Sequence, residues 1–391
     1  MKKVPPPVGR TPLRTRPRKR VALIIETSNA YGRNLLQGVV AYIREHAPWS
    51  FYLAEQGRGD DPPPWLKQWQ GDGIIARIES PRIAKAVVAK KLPVVDLSAG
   101  RFAPNIPWVE TDDTAIARLA AEHLRERGFK QFGYCGDTRF EWSRQRWEAF
   151  RQVIVEAGLP CFDFSSRQSV DETPALIKWL DGLPKPVGIF ACYDVRGQQI
   201  LDACRDLALA VPEEVGVLGV NNDELLCELA FPPLSSITPN ARRAGYEAAA
   251  LLDRMMRGER VPPHETLIPP LGICRRQSTD VLAVEDPSIA QALRFIREHA
   301  CDPIDVSDVL RVVPLSRRVL EQRFVQLLNH TPHAEILSVR LNRAKQLISE
   351  TKLSLGEIAA RAGFEHPEYL SVVFKREEGV SPREFRQNLR R

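Results

Sequence analysis

Four side chains within six residues, Arg317, Arg318, Glu321 and Gln322, make up a set suited to base edges. Arg can bond guanine O6 and N7 together, Gln can do the same to adenine N6 and N7, and Glu can accept from cytosine N4. About fifty residues on, the chain offers His366, Pro367, Glu368, Ser371 and Val372. A valine can touch only a thymine methyl, so the first group is expected to dominate any base readout. A different chemistry collects just after the apolar runs of the first 280 residues. It comprises Ser28, Asn29, Tyr31 and Arg33; Asp112; Asp137, Trp142, Arg144 and Arg146; Tyr193, Asp194 and Arg196; and Asn221, Asn222 and Asp223. Amides, carboxylates, guanidiniums and aromatic rings suit a sugar. Its hydroxyls donate and accept, and its C–H faces pack on rings.

Both groups need elements to hold them. From Val306 to Arg386 one pattern occurs twice. Leu320 matches Leu370, Phe324 matches Phe374 and Thr331-Pro332 matches Ser381-Pro382 at an offset of 50, while Val309 matches Ile358 at 49. Such self-similarity marks one supersecondary unit copied. In the second copy Ile358, Ala359 and Ala362 share a helix face, Gly363 stands where the chain must turn, and Pro367 suits the next helix's first turn. Tyr369, Leu370, Val373 and Phe374 form its expected buried stripe. In the first copy Ser316 is the expected N-cap, and Leu320, Phe324 and Leu327 are the stripe. A helix, a short turn and a second helix is the unit that lays its second helix in the major groove. The two polar groups fall on the first turns of those second helices. Lys345, Lys352, Lys375, Arg376 and Arg383 are candidates for phosphate contacts, which position without specifying.

The run EILSVRLNRAKQLISETKLSLGEIAARAGF between the copies, with the closing Ser381-Pro382 to Phe385-Arg386, resembles the AraC-type DNA-binding domain from about Pro287 to Arg386. The resemblance implies two helix-turn-helix readers joined by a linking helix, able to enter successive major grooves about 34 Å apart. It also implies double-stranded DNA as a partner. That family often has Arg where Val372 stands.

Upstream, apolar strand-like runs alternate with helical stretches. The strands read VALIIE (21–26), FYLAE (51–55), GIIAR (73–77), PVVDL (93–97), WVET (108–111), QFGYCG (131–136), VGIFAC (187–192) and VGVLGV (215–220). Helical periodicity covers 31–46, 113–127, 143–157, 174–181, 195–207 and 240–257. This alternation predicts parallel α/β structure, and about 260 residues of it predict two lobes. Ligands in such folds sit beyond the carboxyl ends of the strands, where the sugar-type residues fall.

VPEEVGVLGVNNDELLCELAFPPLSSI resembles the LacI-type, periplasmic-binding-protein-like sensor, as do residues 113–136 and the pairing of Arg146 with Phe150. The resemblance implies that Arg146 touches an effector. Asn221 stands where that family has a sugar-contacting Asp, and Ala149 replaces its usual Gly. LacI-type chains read DNA through an N-terminal helix-turn-helix, whereas here a Pro-rich basic stretch precedes the sensor. With the junction PPLGICRRQSTD, the order of sensor then reader resembles the bacterial xylose operon regulator family. That implies D-xylose as effector, a homodimer and ligand-dependent activation, and it admits RNA polymerase as a further partner. Another sugar, or repression, stays open. The expected fold is a two-lobed α/β sensor of the type I periplasmic-binding-protein class followed by an all-α double helix-turn-helix domain. The expected boundaries are a disordered basic tail over 1–20, a sensor over 21–280, a linker over 281–288 and a reader over 289–391.

Composition bounds these expectations. The chain has 391 residues and a net charge of +6, of which +8 falls in residues 1–20, −5 in 21–285 and +3 in 286–391. An acidic body with basic ends suits a chain meeting a polyanion through its ends. No apolar run approaches the length of a membrane span, about 18 residues. The N-terminus lacks a signal-peptide core, and seven cysteines without CxxC argue against a disulfide framework. The expected compartment is the cytoplasm. Glycine-rich phosphate loops, GxSxG and metal-spaced histidines are absent, so neither an enzyme, a cofactor nor a metal is expected.

Overall fold

The structure, a computed structural model, describes residues 18–46, 48–166, 172–280 and 286–388. Residues 1–17 of the expected tail and 281–285 of the expected linker lie outside these. The chain begins β1 (Arg20–Ile24), α1 (Ala30–Glu45), β2 (Ser50–Leu53), β3 (Gly73–Ala76), α2 (Pro81–Val88), β4 (Val94–Asp96) and β5 (Trp108–Thr111). It continues α3 (Asp113–Glu126), β6 (Gln131–Asp137), α4 (Glu141–Glu156), β7 (Cys161–Ser166), α5 (Thr173–Asp181), β8 (Val187–Ala191), α6 (Asp194–Asp206), β9 (Val215–Val220), α7 (Glu224–Leu229) and β10 (Ser235–Thr238). Next come α8 (Ala241–Met256), β11 (Glu265–Ile268) and β12 (Gly272–Cys274). The helices α9 (Pro287–His299), α10 (Val306–Val312), α11 (Arg317–Leu328), α12 (Pro332–Glu350), α13 (Leu355–Arg361), α14 (Pro367–Glu378) and α15 (Pro382–Asn388) follow.

Two compact units result. The first takes residues up to Asp112 together with Asn240–Pro269, and the second takes Asp113–Pro239 and Pro270 onward. The first unit's sheet has the order β11-β5-β4-β3-β1-β2, with every neighbouring pair parallel. The second unit's sheet runs β12-β10-β9-β8-β6-β7, parallel except where β12 pairs antiparallel with β10. Every residue of β3, β8 and β9 is buried, as expected of parallel strands covered on both faces. Hence these strands read as unbroken apolar runs. β7, β11 and β12 lie at sheet edges and are only partly buried, so their sequences carry no such run. β10 escapes the pattern for another reason. Its serines are fully buried because hydroxyl partners satisfy them: Ser235 Oγ donates to the Arg276 carbonyl oxygen and Ser236 Oγ to Asp194.

In the first unit α1 packs on α8 through two glycines. A Cβ on Gly38 would fall 2.0 Å from the Arg242 carbonyl oxygen, and one on Gly245 would fall 2.0 Å from that of Leu35. The two backbones therefore touch where side chains would hold them apart.

The reader belongs to the second unit and has two small cores. One joins Leu293, Ile296, Val309, Leu320 and Phe324, and the other joins Ala344, Ile348, Ile358, Leu370 and Phe374. The 19-residue α12 feeds both, with Ile336 in the first and Leu341 in the second. At 1.5 Å per residue it is roughly 28 Å long, close to one turn of DNA. Caps set each boundary. Asp286 accepts from Ser288 N and Ile289 N, so α9 starts two residues earlier than expected, with Pro287 in its first turn. Ser316 accepts from Val319 N, and Ser354 with Glu357 forms a reciprocal capping box. Gly363 and Gly379 take φ of +77° and +74°.

Two members of the expected stripes are not buried. Leu327 is 42% exposed and Tyr369 48%, because the helix surface available to each small core spans only the faces of Leu320 and Phe324, and of Leu370, Val373 and Phe374. Gly38→Ala should destabilise the first unit by about 1–3 kcal/mol, the usual range for overpacking. Urea unfolding would read this as a lower midpoint, and an unchanged midpoint would show that α1 and α8 have room to spare.

Candidate nucleic-acid interface and effector pocket

The first reading helix, α11, presents its polar group outward. Arg317, Arg318, Glu321 and Gln322 line one open depression with Val325, Gln326 and Thr331. Arg317 Nε lies 3.0 Å from Glu321 Oε1 across one helical turn, and the two side chains are 64% and 45% exposed. Both can exchange this weak surface pair for a base edge. His366, the N-cap of α14, is exposed, as are Glu368 and Val372 on the helix itself, and Pro367 and Ser371 are partly so. The Ser371 hydroxyl donates to the Pro367 carbonyl oxygen at 2.9 Å, which leaves its oxygen lone pairs outward. Tyr369 joins this exposed face. Sequence periodicity assigned it to the core because aromatic residues at helical spacing usually lie there. Of the expected phosphate contacts, Lys352, Lys375 and Arg383 are exposed, Lys345 pairs with Glu378, and Arg376 pairs with Glu377 at 2.8 Å.

In the first unit the carboxyl ends of β1 and β3 carry a buried polar cluster. Arg77 Nε stands 3.1 Å from Glu26 Oε2, and the same guanidinium contacts Glu79. The Arg77 guanidinium lies 4.9 Å from the centroid of Tyr31, whose hydroxyl is 3.2 Å from Thr111 Oγ1. Ile24, Gln56, Gly57, Asp60 and Ser80 are among the residues that line a small pocket with Glu26, Arg77 and Glu79. Burial pushes the Glu26 carboxyl up against the pull of Arg77. Two carboxylates around one cation leave acceptor capacity for hydroxyl donors. Arg33 is exposed, and its Nη1 donates to the Thr27 carbonyl oxygen at 3.0 Å. Asp112 follows β5, its amide donating to the Ile268 carbonyl oxygen.

In the second unit Arg146 is nearly sealed. Its Nε donates to Asp113 Oδ1 at 2.7 Å, its Nη1 to the Cys192 carbonyl oxygen at 2.5 Å, and its guanidinium lies 4.9 Å from the Trp142 ring. Trp142 stacks on Phe140 at 5.2 Å and meets Tyr193 edge-on at 5.9 Å. Asp137 takes Arg139 through both oxygens. Arg196 is fully buried and donates to Glu172 at 2.6 Å and to Ser166 Oγ at 2.8 Å. Asp194 is turned into the protein: Oδ1 accepts from Ser236 Oγ at 2.6 Å and Oδ2 from Asp223 N at 2.8 Å. Burial pushes its carboxyl up to about 7 despite these bonds. Asn221 and Asn222 adopt φ of +109° and +46°, in the region Asn tolerates better than most residues. Asn222 Oδ1 accepts from Arg276 at 2.9 Å.

The structure thus brings Trp142 and Arg146 together with Tyr193 and Asp113, and Tyr31 together with Arg77. Asp194 and Asn222 instead spend their side-chain oxygens on protein donors. Sequence reasoning missed Glu26, Arg77 and Glu79. The rule that polar residues follow each apolar run would have found them, had the first run ended at Ile25 and the third at Ala76.

Residues 20–114 match the XylR N-terminal domain, 121–279 a periplasmic binding protein-like domain, and 309–388 a helix-turn-helix domain. The xylose operon regulatory protein of Escherichia coli (strain K12) is 33% identical over 382 residues, spanning 94% of this chain and 97% of its own. That of Haemophilus influenzae is likewise 33% identical, over 94% and 98%. The chain belongs to the xylose operon regulator family. It is a transcription regulator, not an enzyme, with a sugar-sensor fold preceding an AraC-type reader. A solved structure described as the xylose-binding transcription activator xylR superposes with a TM-score of 0.83 at 32% identity, covering 95% of this chain and 98% of that one. A LacI-type regulator from Alkaliphilus metalliredigens, complexed with D-xylulofuranose, shares the sensor fold at a TM-score of 0.56 and 19% identity. The family order accounts for a sensor whose DNA reader lies behind it. Among the described residues no helix is long and apolar enough to cross a membrane.

Two outcomes are expected of these sites. Arg317→Ala should lower specific DNA affinity by ~1–3 kcal/mol and relax one base position. Equal loss on every sequence, in a competition assay, would make Arg317 a phosphate contact. Asp194 has a folded pKa near 7, above the ordinary 3.8, so its contribution to stability is full below pH 4 and is lost as pH rises through 7. Thermal melts of Asp194→Asn should lack that downward slope between pH 4 and 8.

Proposed function

We propose that this chain is a D-xylose-responsive activator that binds double-stranded DNA through α11 and α14. The observation that carries this is the match along nearly the whole chain, sensor first and reader last, to regulators named for the xylose operon. The proposed effector contacts are Tyr31, Glu26, Arg77 and Asp112 of the first unit and Trp142, Arg146 and Asn221 of the second. Asp194, Asn222 and Arg33 act through the shape of the site. Arg317, Arg318, Glu321 and Gln322 are the principal base readers, and His366, Pro367, Glu368, Ser371 and Val372 form a weaker second set.

The working unit is a homodimer in the cytoplasm that engages RNA polymerase when sugar is bound. Leu225, Leu229 and Phe231 support the dimer, since they are 68%, 69% and 57% exposed within seven residues of the second unit, with Leu271 at 67%. Burying these against a second copy removes apolar surface from water.

The test takes DNA selected from a random pool by the full-length chain and measures affinity by fluorescence anisotropy. D-xylose should tighten binding at least tenfold, and D-glucose should not. An affinity indifferent to every pentose would remove the effector assignment, and a chain that selects no duplex would remove the function entirely.

A further inference from the structure

Arg297 lies in the last turn of α9, the first helix of the reader. Its guanidinium forks onto Glu213, with Nη1 2.6 Å from Oε2 and Nη2 2.5 Å from Oε1. Nη1 also donates to the Val211 carbonyl oxygen at 2.7 Å. One turn earlier Arg294 donates to the Ala208 carbonyl oxygen. All three acceptors stand on the loop that joins α6 to β9 in the sensor's second lobe. The Glu213 side chain is 0% exposed and that of Arg297 15%. A sealed carboxylate is costly unless a cation and hydrogen bonds answer it. Here the cation comes from the reader.

Each side of this contact leads somewhere. On the sensor side, α6 is a single 13-residue helix. Its far end holds Tyr193 as N-cap, and then Asp194 and Arg196, which knit the carboxyl ends of the second sheet. On the reader side, α9 packs against α10, α11 and α12. The Ala300 carbonyl oxygen at its end accepts from Arg340 Nε of α12 at 2.5 Å. The turn of the second helix-turn-helix abuts the same spot, since a Cβ on Gly363 would lie 2.7 Å from that oxygen. One helix therefore gathers both readers at one end and grips the sensor with its own side chains.

We propose that the Glu213–Arg297 fork, backed by Arg294 on Ala208, is the joint that fixes the reader to the second lobe and relays effector state along α6 to both reading helices. The relay rests on the function proposed above, whereas the joint does not. The pair holds direction as well as distance, because Nη1 donates both to Glu213 Oε2 and to the Val211 carbonyl oxygen while Nη2 keeps its charge against Oε1. An apolar contact of equal area would allow the reader to slide. Equilibrium transmission needs two arrangements that the effector distinguishes, and a directional joint keeps them distinct.

The joint can be tested without sugar or DNA. Nitroxide-bearing unnatural residues replace Lys178 on α5 and Gln326 on α11, both exposed, and pulsed spin resonance gives their distance distribution. The native pair should give one narrow peak, and Arg297→Met should broaden it at least twofold. A broad native distribution, or an Arg297→Met distribution as narrow as the native one, overturns the joint. Should Arg297→Met fail to fold by circular dichroism, Glu213→Gln decides by the same criterion, since it keeps volume and one hydrogen bond. For the relay, Glu213→Gln should bind D-xylose within twofold of native while the sugar's effect on DNA affinity falls below threefold. A full native response in that variant overturns the relay. A native chain without any sugar response sinks the proposed function and the relay together, and the distances still judge the joint.

Discussion

Charge buried at the carboxyl ends of two parallel sheets is the constraint on which this chain is built. Several strand ends there meet a side chain that water would solvate better than protein does. Each such group is held by a partner: Arg146 by Asp113, Arg77 by Glu26 and Glu79, Arg196 by Glu172, and Asp194 by Ser236 and the Asp223 amide. Unpaired, any one would cost more than a typical mutation, because a lone buried charge keeps its full desolvation penalty. Paired, they form polar surfaces whose charges are already answered within the protein. That suits a polyol ligand, which gains little from a site it must first order.

The reader solves a different problem. Two small helical cores could drift against one another, and the reading of two grooves needs them at fixed spacing. α12 supplies the spacing by contributing side chains to both cores, and α9 supplies the closure through Ala300, Arg340 and Gly363. Apolar residues left outside those cores include Val325 and Leu327 on α11 and Tyr369 and Val372 on α14.

Much of this was legible in order. The β3, β8 and β9 runs declared buried parallel strands because both their faces are covered, and the offset of 50 declared two like helical units because the same core positions recur. The edge strands β7, β11 and β12 were silent, since half-buried edges admit any pattern. Ser235 and Ser236 hid a mostly buried strand, because their burial depends on partners more than forty residues away. At the site, Arg146 stood out through its neighbours in sequence, while Glu26 and Arg77 were read as the tails of strands and Glu79 was not singled out.

The sequence by itself determined the architecture and the class of chemistry: two α/β lobes, a duplicated helical reader, and polar side chains where strands end. These follow from periodicity and residue type, which are local properties of the chain. Only the tertiary structure decided which polar groups answer one another. Asp194 carries no mark in sequence of its partners, yet its carboxylate is spent on Ser236 and the Asp223 amide. Glu213 shows no distinction at all until Arg297, 84 residues later, arrives to neutralise it. The reason is physical. A charge's role is set by what desolvates it and what answers it, and both are supplied by parts of the chain that periodicity cannot see.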